Sequence, residues 1–144
     1  MGRYLVTALA VGLLIAADDV QKDKAQLQGS WRPISGEQDG DVQQDAKDHL
    51  LTFEGDKFTV KKGDRVFAKG TFTLDPTRSP KTIDMKITEG PVADGAEVKV
   101  VGIYEVRDGT LKWCVGRPGD GDRPQKFTTK EGSAHLFVTL KKEK

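Results

Sequence analysis

From Leu27 to the carboxyl terminus, hydrophobic positions recur at every second residue. Phe58 and Val60 alternate with Lys57, Thr59 and Lys61. Val66, Ala68, Gly70, Phe72 and Leu74 lie opposite Arg65, Lys69, Thr71 and Thr73, and Ile83, Met85 and Ile87 opposite Thr82, Asp84 and Lys86. A period of two is the signature of a strand with one face buried and one face wet. Comparable runs cover Leu27 to Ile34, His49 to Phe53, Leu111 to Val115 and Leu136 to Leu140. Val98 to Val106 is more continuously apolar, so partial cover is expected on both of its faces.

Turn chemistry separates these runs. Glu54-Gly55-Asp56, Lys62-Gly63-Asp64 and Arg107-Asp108-Gly109 are hairpin connections, and Asp75-Pro76 stops a strand because proline cannot donate to a ladder. Eight strands result, joined mostly by short turns. The one helix expected after residue 27 is Val42 to Asp48, short and polar. An antiparallel meander of eight half-buried strands removes its exposed edges by closing, which predicts an all-β, eight-stranded up-and-down barrel. A two-sheet β-sandwich satisfies the same alternation and stands as the alternative.

Residues 1–17 break the pattern. Arg3 precedes an apolar run from Tyr4 to Ile15, Ala16 and Ala17 follow, and Asp18 and Asp19 end it abruptly. These are the parts of a secretory signal peptide. The run is shorter than the roughly 20 residues a membrane-spanning helix needs. The expectation is therefore export, to the periplasm or beyond, with no stable membrane insertion once the leader is removed. Residues 18–26, rich in charge, read as a flexible leader or one short helical turn before a domain spanning 27–144.

Composition adds limits. The chain has 144 residues, enough for one domain, and a formal net charge of +1 with acidic and basic residues interspersed. Arg3 is the one charged residue of the leader, so its removal leaves a neutral chain. No face reads as basic along the sequence, which argues against nucleic acid as a partner. The single cysteine, Cys114, excludes an internal disulfide and leaves stability to core packing.

The ordered blocks Leu27-Gln28-Gly29-Ser30-Trp31, Phe53-Glu54-Gly55-Asp56-Lys57-Phe58, Gly70-Thr71-Phe72-Thr73-Leu74-Asp75, Gly102-Ile103-Tyr104-Glu105, Leu111-Lys112-Trp113-Cys114 and Arg123-Pro124-Gln125-Lys126-Phe127 run along the whole chain after the leader. Together they resemble the lipocalin superfamily, through Gly29-Ser30-Trp31. More closely, they resemble a lipocalin-like family found mainly in planctomycete bacteria. The resemblance implies a barrel and frequent export, and no established biochemical activity. It also implies that Trp31 packs under a basic residue from late in the chain, with Arg123 as the candidate and Arg117 as the alternate, so that Gly29, Trp31 and Arg123 close one end.

Candidate chemistry is sparse. Cys114 has no neighbouring base that the sequence can name, so it reads as a packing residue. His49 and His135 lack a third ligand for a metal, and Asp39-Gly40-Asp41 and Asp120-Gly121-Asp122 lack the remaining oxygens of a calcium loop and read as turns. The glycine- and arginine-rich stretch Gly116 to Arg123 is followed by a strand-like segment rather than the helix a phosphate cradle requires. No catalytic residue, metal or cofactor is expected. Of the aromatic residues Trp31, Phe58, Phe72, Tyr104, Trp113 and Phe127, the candidates for a ligand wall are Phe72, Tyr104 and Trp113, with Gly36 to Asp48 as a lid. The large aromatics in a short chain predict a mostly filled interior with a shallow cup at one mouth.

Two functions remain open on this reading. One is a non-catalytic module for a small apolar or amphipathic ligand; the other is a structural or protein-interaction domain with a filled barrel and an unknown partner. An enzyme is the least supported class.

Overall fold

A computed structural model describes residues 18–93 and 95–143. The signal-peptide reading of residues 1–17 falls outside them. Nine strands follow one another as β1 (Gly29–Gln38), β2 (Asp41–Val42), β3 (His49–Glu54), β4 (Lys57–Lys62), β5 (Arg65–Asp75), β6 (Thr82–Glu89), β7 (Val98–Arg107), β8 (Thr110–Val115) and β9 (Leu136–Lys142). Each pairs antiparallel with its sheet neighbours, and β1 also pairs with β9 from Trp31↔Lys142 to Gln38↔Leu136. That last ladder closes an eight-stranded up-and-down barrel, with β2 as a short flap on β1. The barrel is therefore the architecture, and the sandwich is not.

The alternation in the sequence is the alternation of the wall. Phe58, Ala68, Phe72, Ile83, Met85, Ile87, Leu111, Val138 and Leu140 point inward and are buried. On β7 both faces are covered: Val100 and Tyr104 belong to the interior, whereas Ile103 is buried outside it. The cover is the long β8–β9 connection, which contains no strand and so differs from the extended segment expected after Arg123. It lies against the outer wall, where Pro124 is fully buried, Phe127 packs on Phe137 of β9 at 6.0 Å between ring centroids, and the Cys114 thiol faces the Thr128 carbonyl at 3.8 Å.

Residues 18–27 are helical, not a loose leader. Val20, Asp23, Lys24 and Leu27 recur at helical spacing on the side turned to the barrel, and Asp23 and Leu27 are buried. The helix plugs the end where β1 begins. Its last four carbonyls are all satisfied: the Trp31 indole N–H donates to Leu27 (2.8 Å), the Lys142 ammonium to Gln26 (3.3 Å), the Gln28 backbone N–H to Ala25 (3.3 Å) and the Gln28 side-chain amide to Lys24 (3.1 Å). Gln28 then ties the helix to the β3–β4 turn, donating to the Gly55 carbonyl and accepting from its N–H.

Candidate functional site

The closed end is filled. Trp31 has no exposed surface, and the Lys142 ammonium lies 5.5 Å from its ring centroid. The basic residue over Trp31 is thus Lys142, from the last strand, and not Arg123. Gly29 makes room for it: φ is +108°, and an added Cβ would meet the Lys142 stem at 3.3 Å. Arg123 instead clips the outer connection to the wall. It donates to the Gly102 carbonyl (2.8 Å), the Ile83 carbonyl (3.3 Å) and the Asp84 carboxylate (2.7 Å).

Two of the three expected wall residues also belong to the closed end. Phe72 stacks edge-on against Phe53 at 5.0 Å. Tyr104 is buried and donates its hydroxyl to Asp23 of the plugging helix (2.7 Å), and the same carboxylate oxygen receives the Lys81 ammonium (2.9 Å). Burial, and then the Asp23 carboxylate beside it, push the Tyr104 hydroxyl well above its ordinary range, so it stays a neutral donor.

The other half of the barrel is empty. A cavity of about 540 Å³ opens at the end carrying the β4–β5 turn and the β6–β7 connection. Its wall is mainly apolar, with Leu51, Met85, Val100, Trp113, Val138 and Leu140 among its members. The boundary with the filled half follows the strand register. Phe58 pairs with Phe53, Met85 with Phe72, Trp113 with Tyr104, and Leu140 with Leu111. In each pair the first residue lines the cavity and the second does not. The interior is therefore not mostly filled: Trp31, Phe53, Phe72 and Tyr104 fill the plugged end, whereas Phe58 and Trp113 stand on the wall of an open half otherwise lined mainly by Leu, Val, Ala, Ile and Met.

Polar groups are confined to the rim, except one. Gln38, Gln43, Asp45, His49, Lys62 and Arg117 line the mouth. The Lys62–Asp45 ion pair (3.0 Å) lies on one side of it, and the donating ammonium holds the Asp45 carboxyl below the usual carboxylate range. His49 receives or donates a hydrogen bond at the Asp45 carbonyl and meets the half-exposed Phe67 ring edge-on at 5.7 Å. Phe67 owes that position to a β-bulge: Val60 pairs with Ala68 and Lys61 with Val66, so Phe67 has no partner on β4. Deeper in, the Trp113 indole N–H is buried with no acceptor. Of the expected wall residues, Trp113 alone borders the cavity.

Of the segment Gly36 to Asp48, Gly36 and Gln38 are wall residues of β1, and Gln43, Asp45 and Ala46 also border the cavity. The segment folds back through Asp39 and Gly40, both at positive φ, and through a 3₁₀ turn at Ala46–Asp48. The helix expected from Val42 to Asp48 is reduced to that turn. Cys114 lies outside the cavity, and burial pushes its thiol up to about 11. His135 is held by Asp122 (3.3 Å) in the outer connection, and His49 stands at the rim. Among the described residues no helix is long and apolar enough to cross a membrane, and no group of three His, Cys, Asp or Glu side chains is placed to hold a metal ion.

A scan against protein-family models, a search of curated proteins and a search of solved structures each returned no match to this chain.

Proposed function

We propose that this chain is a non-catalytic binding module that holds one small, mostly apolar molecule in the open half of its barrel, with the polar end of that molecule at the rim. The observation that supports this most is the joining of an apolar cavity of about 540 Å³ to a single polar mouth. Sites for small molecules commonly enclose about 300–1,000 Å³ and combine apolar walls with few polar groups. Each Å² of apolar ligand surface removed from water contributes about 25 cal/mol, and nothing deep in this cavity offers an ionic partner for a charged group. The signal-peptide pattern of residues 1–17 supports a place outside the cytoplasm. The alternative of a purely structural barrel rests on a filled interior and fits this cavity poorly.

The test is a titration of the chain with an environment-sensitive amphiphile such as 1-anilinonaphthalene-8-sulfonate, followed by competition with alkyl alcohols of increasing chain length. The expected result is one saturable site, with displacement that strengthens with chain length and then stops. Absence of saturable binding, or displacement indifferent to chain length, overturns the reading.

A further inference from the structure

We infer that the polar end of the bound molecule is an uncharged, hydroxyl-bearing group, an alcohol or polyol and not a carboxylate or an amine, and that His49 is its acceptor. This rests on the reading of the open half as a binding cavity and names the class of head group its rim selects. His49 begins β3 and shares the inward face of that strand with Leu51, so its ring stands directly above the apolar wall. Two contacts fix the ring. Nδ1 lies 3.1 Å from the Asp45 carbonyl, and Phe67 packs beside it edge-on. A carbonyl only accepts, so Nδ1 carries the hydrogen of that bond and Nε2 of the neutral ring is a bare acceptor. Nε2 has no partner among the described residues, and neither have the side-chain amides of Gln38 and Gln43 at the same mouth. An acceptor in that place calls for an O–H, which an ether, ester or ketone does not supply.

The charged side chains of the mouth disfavour an ionic head. Those bordering the cavity are Lys62, Asp45 and Arg117. Lys62 is paired with Asp45 (3.0 Å) and Arg117 with Asp120 (3.1 Å), so neither cation is left without a carboxylate. Exposed pairs of this kind give way easily. An incoming carboxylate would nevertheless come to lie beside Asp45 or Asp120, and an incoming ammonium beside Lys62 or Arg117. Either ion gains one partner and meets a like charge within the same pair, after giving up water at the edge of an apolar wall. A hydroxyl leaves both pairs intact. It donates to Nε2, and its oxygen stays free to accept from water or from an amide of the mouth.

The test displaces N-phenyl-1-naphthylamine, an uncharged probe, from the full chain with decanol, decanoate and decylammonium. At about pH 8 a free imidazole is neutral and the last two head groups are ionised. Decanol is expected to displace the probe at about a tenfold lower concentration than either ion of the same chain length, the factor that one hydrogen bond supplies. His49→Leu should weaken decanol by about the same factor and leave the probe and decanoate unchanged. Asp45→Asn leaves Lys62 without its carboxylate and keeps the carbonyl that His49 meets. Decanoate should then gain about tenfold while decanol is unmoved, a reversal that a merely structural role for Asp45 does not produce. Circular dichroism verifies that both variants are folded. A parent that does not bind the probe overturns the cavity reading and this inference with it. Saturable probe binding in which either ion matches decanol, in which His49→Leu behaves as the parent, or in which decanoate is indifferent to Asp45→Asn overturns this inference alone.

Discussion

The two ends of this barrel are made by the same eight strands, and they differ in what those strands turn inward. At the plugged end, Trp31, Phe53, Phe72 and Tyr104 meet a helix, and every buried donor identified there has a partner. At the open end, Phe58 and Trp113 stand among aliphatic side chains that leave the centre open, and the Trp113 N–H has no acceptor. The comparison teaches that stability and binding are separated along the barrel axis. A well-satisfied end anchors the fold, which lets the other end carry an empty, incompletely satisfied interior.

The comparison breaks most visibly at Trp31. Trp31→Ala removes a fully buried ring, a hydrogen bond to the helix and the seat of Lys142, and is expected to cost about 3–5 kcal/mol in chemical denaturation. A parent-like midpoint would show that the plugged end is not the anchor. Next is Tyr104→Phe, which takes one donor from the buried Asp23 carboxylate and is expected to cost about 1–3 kcal/mol while leaving amphiphile binding intact. Loss of binding in that variant would mean the two halves are not independent.

At the open end the pattern reverses. Val60→Trp places an indole in the cavity, where it meets empty space rather than packed atoms. It is expected to change stability by under about 1.5 kcal/mol. Amphiphile affinity should fall at least tenfold, and unchanged affinity would move the ligand elsewhere.

The smallest expected effect concerns Cys114. Its thiol is raised by burial from 9.0 to about 11, so the folded form keeps the proton to higher pH than the unfolded chain does. That contribution is fully present below about pH 9 and is lost as pH rises from 9 towards about 11. Alkylation by iodoacetamide at pH 8 should therefore be slow in the folded chain and fast in denaturant. Rapid labelling of the native chain would place Cys114 in an exposed, activated setting instead.

The barrel was legible because alternation and turn residues are local signals, and all eight wall strands follow them. What escaped was set by contacts between distant residues. The helix at 18–27 was hidden because its inward positions include Asp23, and a carboxylate reads as solvent-facing until Tyr104 and Lys81 are brought to it. Lys142 over Trp31 depends on the β1–β9 closure, which no local pattern reveals. The aromatic residues were visible as a set, but their division between the two ends follows from the register of paired strands, as Tyr104 opposite Trp113 shows.

The central claim is that one half of the interior is open to a ligand while the other is sealed, and methyl-resolved NMR during an amphiphile titration tests it most directly. The account predicts saturable shifts at Leu51, Met85, Ile87, Val100 and Leu140, which line the cavity, with Leu27 and Leu111 of the sealed half unmoved. Shifts centred on Leu27 and Leu111, or none at the cavity methyls at saturating amphiphile, would contradict it.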